Sequence, residues 1–180
     1  FLYQQSTMRD ALVAGLSLNI FNKHCDRVKM ANIAQLINVL QAVILTDGPR
    51  MLRTPTYHVF HMYKYHQDAD LVESYLDGVE TIGEEKEYMV PSLQESVSVD
   101  KEGITLNNLS INQAEEMEIT FAECDPKQVS AAILTNDMHA YNTFEEPDKV
   151  HEEVFSNYTV ENGVIRFTMP ASSVVQFRVR

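Results

Sequence analysis

Apolar side chains recur every three or four positions through residues 6–25, which is the spacing of one face of an amphipathic helix. Ser6 and Thr7 are both suited to cap that helix, and Asp10 favours the positive end of the helix dipole. The pattern therefore predicts a first helix over residues 6–25. Its apolar positions are Met8, Leu12, Val13, Leu16, Ile20 and Phe21.

A run with few polar residues follows at 27–34 (RVKMANIA) and is typical of a strand buried on both faces. A further apolar run at 39–45 leads into the turn residues TDGP at 46–49. Helical spacing then resumes from Pro55 to about Gln67, with Thr54 or Thr56 suited to cap the second helix. Helix, buried strand and helix in this order indicate an α/β repeat.

The period changes beyond Asp68, where short runs often alternate apolar with polar residues. Turn pairs separate several of them, namely residues 77–78, 102–103, 125–126 and 162–163. Seven short strands with such turns predict an antiparallel sandwich. The predicted strands span 71–76, 89–99, 104–111, 117–121, 129–134, 164–169 and 174–179.

Composition restricts the possible partners. The 180 residues are 44% hydrophobic and 22% charged, as in an ordinary soluble globular protein. Because 26 acidic residues outnumber 14 basic ones, the net charge of -12 argues against binding to nucleic acid or an anionic membrane surface. The apolar runs are far shorter than the roughly 20 residues of a membrane span, so we expect no passage through a bilayer.

The first residue is Phe1, and residues 1–10 lack the charged start and apolar core of a signal peptide. We therefore expect the chain to be a fragment or a processed product, which leaves cytoplasmic and exported locations equally open. Two cysteines, Cys25 and Cys124, are too few to indicate a disulfide framework. We interpret both as small buried thiols.

Several ordered blocks of this sequence resemble glycoside hydrolase family 51, the α-L-arabinofuranosidases. The resemblance spans essentially the whole chain. The blocks are in the same order as in the family, and none of them is a short pattern that would recur by chance. The blocks are RDALVAGLSLNIF at 9–21, HCDRVKMANIAQ at 24–35, NVLQA at 38–42, LTDG at 45–48, TPTYHVF at 54–60 and HAYNTFEEPD at 139–148.

The resemblance implies a mixed fold, in which the last β/α elements of a (β/α)8 barrel are followed by an antiparallel, jelly-roll-like β-sandwich. On that basis residues 1–67 form the end of the catalytic barrel and residues 68–180 the sandwich domain. The resemblance also implies a homo-oligomer without a cofactor, and a terminal α-L-arabinofuranosyl group of arabinan or arabinoxylan as substrate.

Gln35 is the candidate substrate-binding residue. Active sites of such barrels lie at the C-terminal ends of the strands, and Gln35 follows the predicted strand directly. At the matching position the family has a glutamine whose amide can bond a furanose hydroxyl. From the residues alone, a polar side chain that satisfies loop backbone is the competing interpretation.

A retaining glycosidase needs two carboxyl groups about 5–5.5 Å apart. In the family both are glutamates on earlier barrel strands, so we expect no catalytic residue in this chain and no activity from it alone. The acidic runs at 84–87 and 115–116 are interpreted as solvated edges or turns.

Other polar clusters have plain explanations. His58 and His61 lie three residues apart and His66 follows, but no Cys or Asp cluster completes a zinc shell. Packing and capping are the expected roles of Tyr57 and His58. The loop at 142–147 is expected to pin the sandwich against the barrel or a neighbouring subunit, with sugar contact as the alternative.

Two hypotheses of function remain. In the first, the chain is the C-terminal part of an exo-acting α-L-arabinofuranosidase, and it hydrolyses glycans only when joined to the missing N-terminal part of the same enzyme. The second is a non-catalytic carbohydrate-binding or structural module. The sandwich half contains no Trp, and its few Phe and Tyr residues are scattered, which favours a supporting role for the sandwich.

Overall fold

The computed structural model describes residues 4–84, 88–99, 103–122 and 125–180. Two α-helices precede a series of strands, and a short 3-10 turn, Lys64–His66, extends the second helix. The helices are α1 (Met8–Lys23) and α2 (Pro55–Tyr63). The strands are β1 (Ile44–Asp47), β2 (Arg50–Arg53), β3 (Leu71–Val72), β4 (Thr81–Ile82), β5 (Val90–Pro91), β6 (Leu93–Ser98), β7 (Gly103–Asn108), β8 (Glu115–Ile119), β9 (Val129–Thr135), β10 (Glu153–Val154), β11 (Tyr158–Glu161), β12 (Val164–Met169) and β13 (Ser173–Val179).

Both predicted helices form. Thr7 is the N-cap of α1, and the Asp10 carboxylate accepts bonds from the Thr7 amide at 2.7 Å and its hydroxyl at 2.9 Å. Thr54 is the N-cap of α2, with Pro55 in the first turn, where its missing N–H has no consequence. The Thr54 hydroxyl donates to the Ala42 carbonyl at 2.9 Å. Both helices therefore begin at one of the candidate cap residues, although the Thr54 hydroxyl bonds a carbonyl outside α2 instead of capping it.

The buried strand predicted at 27–34 does not form. Residues 28–33 have no regular secondary structure, and Met30 is 76% exposed. A strand in the middle of a parallel sheet needs hydrogen-bonding neighbours on both sides, and no described strand lies beside this segment. The apolar composition identified a segment suited to burial, but composition does not provide the neighbouring strands.

Two antiparallel sheets form the second part of the chain. One has six strands in the order β10-β9-β13-β7-β6-β3, and the other has three in the order β11-β12-β8. All seven predicted strand regions contain an observed strand, and the predicted strand at 164–169 matches β12 residue for residue. Of the expected mixed fold, the antiparallel β-sheet part is confirmed.

Aromatic side chains fill the space between these two sheets. Phe177 of β13 is fully buried, and its ring centroid lies 4.9 Å from that of Phe167 and 5.6 Å from that of Tyr158. Val175 and Ile165 are also fully buried in this cluster. Alternate residues of each strand point to the same face, so one face of each sheet contributes to a single core.

The opposite face of the six-stranded sheet packs against the two helices. Leu134 and Val174 belong to a second core cluster together with Met8 and Leu12 of α1 and Val59 of α2. The six-stranded sheet is therefore covered on both sides, by helices on one and by the smaller sheet on the other.

Polar side chains also bridge the helices and this sheet. The Asn19 Oδ1 atom accepts bonds from the Ser96 hydroxyl at 2.8 Å and the Thr105 hydroxyl at 2.9 Å. The His66 ring nitrogens lie 2.9 Å from the hydroxyls of Ser98 and Thr105. Because these groups are largely shielded from water, their mutual hydrogen bonds replace most of the hydrogen bonds to water that burial removes.

The turn prediction at 162–163 is confirmed by backbone angles. Asn162 and Gly163 have φ angles of 52° and 76° between the paired strands β11 and β12. Two consecutive positive φ angles are typical of a tight hairpin turn that favours Asn-Gly. The predicted turn at 102–103 lies partly outside the described residues, because Glu102 is not among them.

Candidate functional site

The loop that carries Gln35 has an uncommon backbone. Gln35, Asn38 and Gln41 have φ angles of 67°, 56° and 58°. Left-handed backbone costs a residue other than glycine roughly 1–2 kcal/mol. Such residues persist where their surroundings hold them, and they cluster at functional sites. We call residues 35–41 the substrate loop, after the role that the sequence predicts for Gln35.

The following hairpin holds one part of the substrate loop. The Asn38 Nδ2 group donates to the Thr46 hydroxyl at 2.8 Å, and the Thr46 amide donates to Asn38 Oδ1 at 2.7 Å. The Ile44 amide donates to the Leu36 carbonyl at 3.2 Å. These bonds tie the loop to strand β1 through both side chain and backbone.

Helix α1 holds the other end of the substrate loop. The Gln41 Nε2 group donates to Asp10 Oδ1 at 2.9 Å. Burial opposes ionisation of Asp10, but bonds from the Thr7 backbone and the Gln41 side chain outweigh it, so the pKa of Asp10 lies below its ordinary value. The carboxylate is therefore charged at neutral pH and is a strong acceptor for the Gln41 amide.

Gln35 itself is exposed at the start of the substrate loop. No described residue forms a hydrogen bond with its side chain, so the amide does not satisfy loop backbone here. Its neighbours Leu36 and Ile37 are 58% and 47% exposed. Gln35 therefore presents an open amide beside two exposed apolar side chains.

The histidines lie in different surroundings. His58 is buried, whereas the His61 Nδ1 atom lies 2.7 Å from the Glu152 carboxylate, and His66 bonds the sheet hydroxyls. The ring of Tyr57 stacks on His61 with 6.2 Å between centroids. Within the described ranges, no three His, Cys, Asp or Glu side chains come together to hold a metal ion.

The interpretation of Cys25 as buried is wrong. The thiol is exposed just after α1 ends, because the segment at 28–33 does not continue as a covered strand. It lines an open groove of about 720 Å³ between the C-terminal end of α1 and the region after α2. Gln35 does not line this groove. Cys124 lies outside the described residues.

The acidic runs lie away from the substrate loop. Glu115 and Glu116 lie on β8, and the Glu116 carboxylate accepts a bond from the exposed Thr168 hydroxyl at 2.8 Å. Glu84 is exposed, as expected of a solvated turn. Residues 85–87 lie outside the described residues.

The loop at 142–147 is fastened chiefly by Asn142, which is 6% exposed. Its Nδ2 group donates at 2.8 Å to the carbonyls of Arg53 and Val150, and its Oδ1 atom accepts from the Val150 amide at 2.7 Å. The ring of Phe144, the apolar residue of this loop, lies beneath the Arg50 guanidinium at 4.7 Å. The loop thus connects strand β2 with the segment around Val150, and its role in pinning the sandwich against a barrel stays a prediction.

Sequence reasoning missed the roles of Asn38, Gln41 and Asn142. Asn tolerates left-handed backbone better than most residues, which is a weak signal for Asn38. No local pattern indicates Gln41, since its partner Asp10 lies 31 residues earlier.

Comparison with known proteins identifies the family. The profile described as the α-L-arabinofuranosidase C-terminal domain matches residues 1–173. The chain belongs to this family. The resemblance to glycoside hydrolase family 51 is thereby confirmed, and the structural relatives below agree with it.

A family 51 arabinofuranosidase from Xanthomonas axonopodis pv. citri superimposes with a TM-score of 0.90 at 37% identity, over 100% of this chain and 37% of that chain. A family 51 α-L-arabinofuranosidase from Bifidobacterium longum gives a TM-score of 0.89 at 25% identity, over 100% and 36% of the two chains.

A curated relative, an intracellular exo-α-L-arabinofuranosidase from Bacteroides ovatus, is 40% identical over 99% of this chain. The chain spans about a third of that relative's length, 35%. An exo-α-(1->6)-L-arabinofuranosidase from Bifidobacterium longum is 27% identical over 95% of this chain and 34% of its own length.

None of the helices in the described part of the chain has the length and apolarity of a membrane span.

Proposed function

We propose that this chain is the C-terminal part of a retaining, exo-acting α-L-arabinofuranosidase. The whole protein removes terminal α-L-arabinofuranosyl groups from arabinan- or arabinoxylan-type glycans. The observation that carries this proposal is the family match over residues 1–173, together with relatives named as exo-arabinofuranosidases. The full-length protein acts as a homo-oligomer without a cofactor in this proposal.

The catalytic carboxylates belong to the part of the protein outside this chain in this proposal, so the chain alone is inactive. Retention of configuration needs two carboxyl groups about 5–5.5 Å apart on either side of the glycosidic bond. The adjacent Glu115 and Glu116 make a poor substitute, because successive side chains of a strand point to opposite faces.

Residues 1–67 complete the catalytic barrel and residues 68–180 form the jelly-roll-like sandwich in this proposal. The two helices within residues 1–67, α1 and α2, support the first assignment. So do apolar side chains that barrel neighbours would cover: Met30, Leu36 and Met51 are 76%, 58% and 59% exposed.

The alternative of a carbohydrate-binding module has weaker support. Sugar-binding sandwiches commonly present aromatic side chains to the sugar face, but the outer face of the three-stranded sheet carries polar pairs. Arg166 Nε donates to Glu118 at 2.7 Å, and Thr168 donates to Glu116 at 2.8 Å.

Gln35 binds a furanose hydroxyl through its side-chain amide in this proposal. Its exposure and the strained backbone of the substrate loop support the assignment. Replacement of Gln35 by Ala in the full-length protein should cost about 1–3 kcal/mol of transition-state stabilisation, or roughly 5- to 150-fold in kcat/KM. The substrate is 4-nitrophenyl α-L-arabinofuranoside.

Gln113→Ala is the matched control, because Gln113 is an exposed glutamine of the sandwich. Its kcat/KM should equal that of the unmodified protein. An unchanged kcat/KM for Gln35→Ala would remove Gln35 from the site.

A further inference from the structure

We propose that Asp10 and Gln41 are positioning residues, which hold the substrate loop in the conformation that presents Gln35 to the sugar. This inference rests on the proposed function, because it assigns Gln35 a contact with substrate. Neither residue touches substrate in this account. Both act through the backbone of residues 35–41.

The Asp10 carboxylate divides its two oxygens between two tasks. Oδ2 accepts from the Thr7 amide at 2.7 Å and the Thr7 hydroxyl at 2.9 Å, which caps helix α1. Oδ1 accepts from Gln41 Nε2 at 2.9 Å. One half-buried side chain therefore fixes the helix start and the end of the substrate loop at the same time.

Asp10 is itself held in place through bonds between helix α1 and the sandwich. The first amides of α1 donate to a sandwich loop, Met8 to the Ala140 carbonyl at 2.9 Å and Arg9 to the Met138 carbonyl at 3.0 Å. Helix ends have free amides that need such acceptors. The position of Asp10 is therefore set by backbone bonds on one side and by the capped helix on the other.

The substrate loop needs this restraint because its backbone is strained. Gln41 adopts a φ of 58°, and Gln35 adopts 67°. Asn38 is held independently through Thr46. Without the Asp10 bond, Gln41 is free to return to right-handed backbone, and the turn that follows Gln35 changes direction with it.

The test uses the full-length protein and the 4-nitrophenyl substrate. Gln41→Met keeps the length of the side chain but loses the amide, and it should lower kcat/KM about threefold to tenfold, the usual worth of one hydrogen bond. Its Tm should stay within about 2 °C of the unmodified protein. In a Gln35→Ala background the same change should cost nothing further, because the residue it positions is gone.

A swapped pair provides the rescue. Gln41→Glu places two carboxylates against each other and should lower kcat/KM at least as far as Gln41→Met. Adding Asp10→Asn restores a donor and an acceptor in reversed order, because the new amide can face the Gln41→Glu carboxylate while its oxygen still caps Thr7. The double variant should recover most of the lost kcat/KM.

The outcomes separate the inference from the proposed function. If Gln35→Ala is impaired but Gln41→Met is not, or if their losses multiply, the positioning role is refuted and the Gln35 contact stands. If Gln35→Ala has no effect, the Gln35 contact fails, and positioning through it fails as well. A Gln41→Met loss accompanied by a large fall in Tm would also refute positioning, since stability alone would then explain it.

Discussion

Replacement of Gly15 by Ala tests how closely helix α1 approaches the six-stranded sheet. A methyl group at this position would lie 2.5 Å from Asn107 Oδ1 and 3.0 Å from its Cγ and Nδ2 atoms. Asn107 is fully buried and donates to the Tyr63 hydroxyl at 2.9 Å, and that hydroxyl donates to the Gly15 carbonyl at 3.1 Å. The obstructing side chain is therefore not free to move aside.

The expected change in the free energy of unfolding is the sum of opposing effects. Alanine favours the helix by about 1 kcal/mol over glycine. Overpacking costs about 1–3 kcal/mol, and a weakened Asn107–Tyr63 bond costs about 0.5–1.5 kcal/mol. We expect Gly15→Ala to lower the free energy of unfolding by about 0.5–3.5 kcal/mol in total.

Urea unfolding of the 180-residue chain, followed by circular dichroism, measures this change as a lower midpoint at unchanged slope. Ser17→Ala, on a partly exposed position of the same helix, is the control and should be neutral or stabilising. In an Asn107→Ala background, Gly15→Ala should become harmless. A Gly15→Ala variant about 1 kcal/mol more stable than the parent would show that helix and sheet are not in close contact here.

Two further changes test other parts of the structure. Burial, reinforced by Arg53 and opposed by Glu152, lowers the pKa of His58 from 6.5 to about 4. As pH falls, the unfolded chain binds a proton at His58 before the folded chain does, so the free energy of unfolding is highest above pH 6.5 and falls as pH drops towards 4. At pH 5 this effect should lower the free energy of unfolding by about 2 kcal/mol. Urea midpoints at pH 7.5 and 5 should differ less in His58→Leu, and an equal difference would contradict this assignment. Asn142→Ala leaves buried groups of Val150 without partners, so it should cost about 1–3 kcal/mol and speed hydrogen exchange of the Val150 amide; unchanged exchange would count against the pinning role.

The elements that the sequence predicted well are set by neighbouring residues. Thr7 and Thr54 mark helix starts because threonine favours the N-cap position, and Asn162-Gly163 marks a hairpin because few other pairs adopt its backbone angles. Strand β12 alternates buried and exposed residues, so its period is visible in the sequence. These signals need no knowledge of the rest of the chain.

The errors concern burial by distant elements. Residues 27–34 are apolar enough for a buried strand, but only hydrogen-bonding neighbours make a strand, and the sequence does not show whether they are present. Cys25 was misassigned for the same reason.

The candidate site also has one residue that the sequence indicated and others that it did not. Gln35 was found through a resemblance, and its role stays a prediction. The Gln41–Asp10 bond joins residues 31 positions apart, and no periodicity indicates it. Turn signals did not reveal the left-handed backbone at Gln35 either, because glutamine has no preference for it.

The hydroxyl and amide groups between α1 and the six-stranded sheet favour one position and angle of the helix on the sheet. Purely apolar layers tolerate small rotations and slides, because many arrangements bury similar areas. A helix whose Asn19 must meet both Ser96 and Thr105 has one angular setting at which all of these bonds form. We therefore expect a displacement of the sheet to carry α1 with it, and the first turn of α1 to carry the loop that Gln41 ties to Asp10.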